Sequence, residues 1–208
     1  MGRSMKTLSM IRLRMRHSVL DLIEDRRGIA ATEFAVIVPI MLVMFFGTVE
    51  FSSGVAVDRK VTLIARTLSD LTSQSTTVAD SDMTNFFAAS NAIMTPYSPT
   101  PTTATITELY IDPNTFKARV QWSRSATMTS SGGVVLGAGH TVTSTIAIPA
   151  QLAVGGTYLI FSEVKYLYTP TIGYVMAKTG VTLSDVSYTR PRQSTCVYYS
   201  PSTACTTL

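Results

Sequence analysis

The sequence predicts an α+β protein in which a long N-terminal helix, first membrane-spanning and then protruding, packs on a small antiparallel β-sheet domain. Three observations lead there. A 21-residue run from Ile29 to Val49 holds a single ionisable group. Beyond it, apolar residues recur with a helical period. The second half then breaks into short segments of β-branched and aromatic residues, separated by Gly and Pro clusters.

At about 1.5 Å per residue the apolar run spans roughly 31 Å, the thickness of a bilayer's hydrocarbon core. Pro39 falls inside it, a residue that membrane helices tolerate better than soluble ones. Before the run, residues 1–28 carry seven Lys or Arg against three acids, 7 − 3 = +4, which is the whole formal charge of the 208-residue chain. Basic flanks stay in the cytoplasm, so the expected topology is N-in, C-out. The remaining 180 residues hold ten basic and ten acidic groups. A nucleic-acid-binding domain carries its basic surface on the folded part, so no nucleic-acid partner is expected.

After the span, Val57, Val61, Ile64, Leu68 and Leu71 recur at steps of 4, 3, 4 and 3, a helix-packing seam. Such a seam can cover the domain's own sheet or another subunit, and the pattern alone leaves both open. A short helix is expected around Asp82 to Met94, followed by the extended TPYSPTPTT. TITELYI (105–111), a turn at Asp112-Pro113-Asn114 and TFKARVQWS (115–123) predict a hairpin. Residues 130–139 read as a Gly-rich loop, and further strands are expected at 141–148, 158–168 and 181–188, giving four or five in all.

The expected organisation is therefore a basic cytoplasmic leader (1–28), a transmembrane helix (29–49), a protruding amphipathic helix (50–75), a helix with a Pro-rich loop (76–104) and an exported β-rich domain (105–208).

Charged residues make up only 14% of the chain, against about 25% in ordinary soluble domains, and Ser and Thr crowd the second half. That composition suits an exported surface. Cys196 and Cys205 lie close together with no CxxC spacing and no histidine nearby, which predicts a local disulfide formed in an oxidising compartment. The two histidines, His17 and His140, are far apart in sequence, and no GxSxG, HExxH or P-loop pattern occurs. VLGAGH (135–140) lacks the lysine of a phosphate loop and reads as a turn. No enzymatic activity, cofactor or metal is expected.

The feature least explained by a plain anchor is Glu33. An acidic group at membrane depth costs on the order of 3 kcal/mol on insertion scales, and such residues are usually kept for a partner. A position near the cytoplasmic interface would hydrate it instead. Immediately before it stands RRGIAATEF (26–34). This motif resembles prepilins of the type IV class, which a membrane aspartyl peptidase cuts after a glycine that follows basic residues. The resemblance implies cleavage between Gly28 and Ile29 and makes Glu33 the fifth mature residue. The new amine of one subunit's Ile29 could then pair with Glu33 of the next.

The wider stretch from Arg26 to about Leu71 includes Pro39, Val49-Glu50-Phe51 and Arg66, and is similar to the TadE-like family of tight-adherence (Tad) pilus systems. That likeness implies a pilin-like fold, other pilin subunits and a prepilin peptidase as partners, and an inner-membrane location followed by a periplasmic or extracellular pilus. Two departures from the major pilins of these systems point to a minor pilin or pseudopilin: Phe34 replaces a tyrosine, and more than 130 residues follow the helix. The alternatives are an uncleaved, signal-anchored binding domain, and a conventionally secreted domain cut at Ser53-Gly54-Val55-Ala56. The mature N-terminus separates all three.

Overall fold

The structure is a computed structural model that describes residues 27–100, 102–129, 131–170, 179–202 and 205. The expected leader lies outside the described residues up to Arg26.

Helix α1 runs from Arg27 to Ser73, 47 residues, and continues through Pro39. The chain separates into two compact units, residues 1–49 and 50–208, so α1 contributes to both.

In the first unit nearly every side chain from Gly28 to Val49 is exposed, among them Phe34, Ile37, Met41, Leu42 and Phe45. A helix apolar on all sides fits a nonpolar solvent. Its two hydroxyls make back-bonds to the helix itself, Thr32 Oγ1 to the Ile29 carbonyl and Thr48 Oγ1 to the Met44 carbonyl, both at 2.8 Å. Neither therefore demands water. The helix is long and apolar enough to cross a membrane.

The second unit is α+β. After α1 come β1 (Thr77–Val78), α2 (Asp80–Met94), β2 (Thr102–Ile111), β3 (Ala118–Met128), β4 (Val134–Ala138), β5 (Thr145–Ile146), β6 (Tyr158–Tyr168), β7 (Val181–Thr189) and β8 (Tyr198–Tyr199). The main sheet is antiparallel in the order β4-β3-β2-β6-β7, with β5 also pairing with β3. β1 and β8 form a separate parallel pair.

One face of the sheet packs on α1 and α2. Ala104, Ile106, Trp122, Ala126, Ile160 and Val164 meet Val57, Val61, Ile64, Ala65 and Leu68 of α1, and Met83 and Phe87 of α2. A second core lies among Leu109, Ile111, Val120, Leu159 and Phe161, beside Ile146, Ile148 and Leu152 of the excursion between β4 and β6. A β-bulge makes the change of core possible. Glu108 faces Trp122 but Leu109 faces Val120, so β3 carries one extra residue, Gln121. Because side chains alternate across a strand, the extra residue reverses which positions of β3 point to which face.

Polar links tie α1 to the sheet. Ser162 donates to the Ala65 carbonyl, and Ser69 hydrogen-bonds with Ser187 and Thr189 of β7. The Arg192 amide donates to the Ser73 carbonyl at the helix end. Lys60 donates to the carbonyls of Ile93 (2.7 Å) and Thr95 (2.8 Å), placing a cation where the dipole of α2 favours one.

Several expectations need correction. The Gly-rich loop at 130–139 contains strand β4, whose Val134, Val135 and Leu136 pair with Met128, Thr127 and Ala126. Its glycines permit close approach: a Cβ on Gly139 would lie 2.0 Å from Ser123 Oγ. The strand expected at 141–148 shrinks to Thr145–Ile146, because Thr143 adopts φ 71° and the chain turns back toward Val120. β3 begins at Ala118 rather than 115, since Asp112 caps the amides of Asn114 and Thr115 and Phe116 adopts φ 55°. The main sheet has six strands, and the β1–β8 pair lies apart from it.

Candidate functional site

Gly28 and Ile29 occupy the first turn of α1 and are exposed. A Cβ placed on Gly28 would meet nothing within 4 Å. Among the described residues, no close contact calls for a glycine there.

Glu33 stands one turn further on, about 6 Å along the axis from Ile29. It is exposed and is the only ionisable residue between Gly28 and Val49. Phe34 beside it is 68% exposed. The arrangement is thus a carboxylate on an otherwise apolar rod, one turn past Gly28 and Ile29. Chemically it can accept a cation or an amine from another molecule.

The seam residues divide. Val57, Val61, Ile64 and Leu68 are fully buried in the sheet domain's own core, so they are spent on that sheet. Leu71 is half-buried and lies beside Arg66, Asp70, Ser187 and Thr189. The cause is geometric: a 3.5-residue repeat drifts about 20° per heptad on a straight helix. Two heptads past Val57, the inward positions have passed to Ser69, Thr72 and Ser73, all buried.

Cys196 and Cys205 form a disulfide, with Cα atoms 5.8 Å apart. Cys196 packs on Tyr110 and Tyr158.

A cluster around Glu108 was absent from the sequence reading. Glu108 is 3% exposed, and its Oε1 accepts the Val197 amide at 2.6 Å. Burial raises its pKa from 4.5 to about 8, partly opposed by the Val197 amide and Trp122. Trp122 donates its indole N–H to the Val197 carbonyl at 2.8 Å. Arg124 donates to Tyr199 Oη (2.8 Å) and Asp80 (3.1 Å), and Tyr199 also contacts Asp80. The Tyr199 hydroxyl above all, helped by Arg124, holds the Asp80 carboxyl below its usual range against the opposing effect of desolvation. One sequence signal was available: Glu108 falls in register with Ala104, Ile106 and Tyr110, on the apolar side of an alternating strand.

Fold and site define a class: a membrane-anchored chain with one apolar helix carrying an α+β domain. Within it, residues 28–68 match the family model described as TadE-like protein, which is consistent with a pilin-related component of a Tad system. The matched segment begins at Gly28 and covers the apolar run and the buried seam through Leu68, leaving the sheet outside it. No curated protein and no solved structure matches the chain.

Proposed function

We propose that the chain is a minor pilin or pseudopilin of a Tad-type adhesion pilus. In this reading a prepilin peptidase cuts between Gly28 and Ile29 in the inner membrane. The processed subunit, with its sheet domain on the extracytoplasmic side, then assembles with other pilin subunits or primes or regulates their filament. The role is structural, with no reaction catalysed.

The observation that carries this reading is Glu33, a lone carboxylate on an exposed apolar helix within a segment that matches the TadE-like model. A charge in that setting calls for an opposite charge. Cleavage after Gly28 would create one, an α-amine at nearly the same depth. The open space at Gly28 adds support, because no close contact among the described residues calls for a glycine there.

The test is the intact mass of protein recovered from cells with and without the peptidase. A chain starting at Ile29 is expected with the peptidase, and the unprocessed chain without it. Gly28→Leu should block the cut, whereas Gly28→Ala should be partly tolerated. A mass that does not respond to the peptidase would overturn the reading and leave an uncleaved signal anchor.

A further inference from the structure

The sheet domain holds a cavity that the assembly reading does not use. Its volume is about 520 Å³, and its lining includes Glu108, Trp122 and Arg124 of the sheet with Tyr198, Tyr199 and Ser202 of the C-terminal segment. Small-ligand sites typically fall between roughly 300 and 1,000 Å³ and combine aromatic walls with a few placed polar groups. We propose that this cavity binds a neutral sugar ring.

Charge decides between ligand classes. Glu108 is held neutral at pH 7 by its burial, so it offers no anion to a cationic ligand. Arg124 stands 4.8 Å over the Tyr199 ring and further disfavours a cation there. An anion gains little either, because Arg124 already has its counter-charge in Asp80. What remains is aromatic surface beside a hydroxyl, a protonated carboxyl and a guanidinium. A pyranose matches that set, with an apolar C–H face to lie on an aromatic ring and a rim of hydroxyls to hydrogen-bond.

The cavity is also preformed. β8 is paired with β1, Trp122 is fixed to the Val197 carbonyl, and the disulfide closes the segment from 196 to 205. Little ordering remains to be done when a ligand enters. A second polar cavity, about 250 Å³ around His140, Glu163 and Lys165, has no Phe, Tyr or Trp in its lining, and His140 and Glu163 already contact each other. It offers no comparable platform.

Trp122 is the chain's only tryptophan, so its emission reports directly on the site. The full chain, in a zwitterionic detergent without sugar headgroups, is titrated with glucose, galactose, N-acetylglucosamine and lactose up to ~50 mM. At least one should give a saturable change in emission. Ser202 is exposed, so Ser202→Phe should fill the mouth and raise Kd by about tenfold or more, with unchanged ligand-free emission confirming its fold. Tyr198→Ala should weaken binding likewise, with an intact disulfide and unchanged ligand-free emission confirming its fold. The proposal is overturned if no sugar gives saturation, if Ser202→Phe binds as the parent does, or if only choline or inorganic phosphate saturates. The assay works with or without the leader, so its outcome is separate from that of the processing test.

Discussion

Residues 28–49 and 50–73 belong to one continuous helix, yet they meet different surroundings. In the first stretch apolar side chains point outward on all sides, and the hydroxyls of Thr32 and Thr48 fold back on the helix's own carbonyls. In the second, Val57, Val61, Ile64 and Leu68 line one face, which the sheet covers, while Phe51, Val55 and Leu63 stay exposed, and Ser69 reaches out to Ser187 and Thr189. Backbone geometry is common to both. The distribution of side chains tells which solvent each stretch was built for, lipid in one case and a protein core bordered by water in the other.

The contrast can be broken in order of expected effect. The largest belongs to Glu33. Glu33→Ala should insert normally and be processed normally, yet lose incorporation into pili, and Glu33→Asp should show a partial defect. Membrane fractionation, intact mass and sheared-pilus yield read the three steps separately. Wild-type piliation in the alanine variant would mean that the carboxylate is merely hydrated at the interface.

Next comes the buried face. Leu68→Ala should destabilise the sheet domain by roughly 2–5 kcal/mol, through lost burial and a cavity. Leu42→Ala in the apolar stretch should leave that stability within about 0.5 kcal/mol of the parent. Denaturant unfolding followed by Trp122 emission measures both, and equal effects would erase the distinction between the two stretches.

The disulfide should contribute about 2–3 kcal/mol for a loop of this size. Cys196→Ser with Cys205→Ser should therefore lower the denaturation midpoint, and thiol labelling of the unreduced, denatured parent should find no free thiol.

The smallest expected effect is a pH slope from Glu108. Its folded pKa of about 8 lies above the ordinary 4.5. Below the lower value both states are protonated and the contribution is fully present. As pH rises the unfolded chain ionises first, so stability falls until the folded carboxyl ionises near the upper value. Between pH 5 and pH 7 the loss should be about 2 kcal/mol. Glu108→Gln keeps an acceptor for the Val197 amide and should flatten that part of the profile. An unchanged slope would remove Glu108 as its source.

Much of this architecture was legible because the signals are local. The charge-free run, the recurrence from Val57 to Leu68, and the alternation in 105–111, 158–168 and 181–188 each depend on residues close in sequence. What was missed depends on partners far away. Val134–Ala138 is a strand because β3 is there to pair with it, although the glycines in and beside it read as a loop. β8 has only two residues and gains its definition from β1, more than a hundred positions earlier. Leu71 leaves the buried face because the repeat followed along the helix is slightly shorter than the helix's own turn, and which partner it serves stayed open in the sequence. At the N-terminal site the residues themselves were readable, since Gly28, Ile29 and Glu33 sit within one motif. The Glu108 cluster was not, because Val197 and Tyr199 join it only through the fold.

The extra residue Gln121 in β3 also bears on which length changes the protein can survive. A deletion elsewhere inside β3, at Ser123 for example, would carry side chains past their partners and turn them to the wrong side of the sheet. Removing Gln121 would instead leave a regular ladder. Val120 would still stand opposite Leu109 and Trp122 opposite Glu108, so Ala118 and Val120 keep one core and Trp122, Arg124 and Ala126 the other. Length variation should therefore be tolerated at this one interior position as well as in the turn between β3 and β4, and selected against in the rest of the strand.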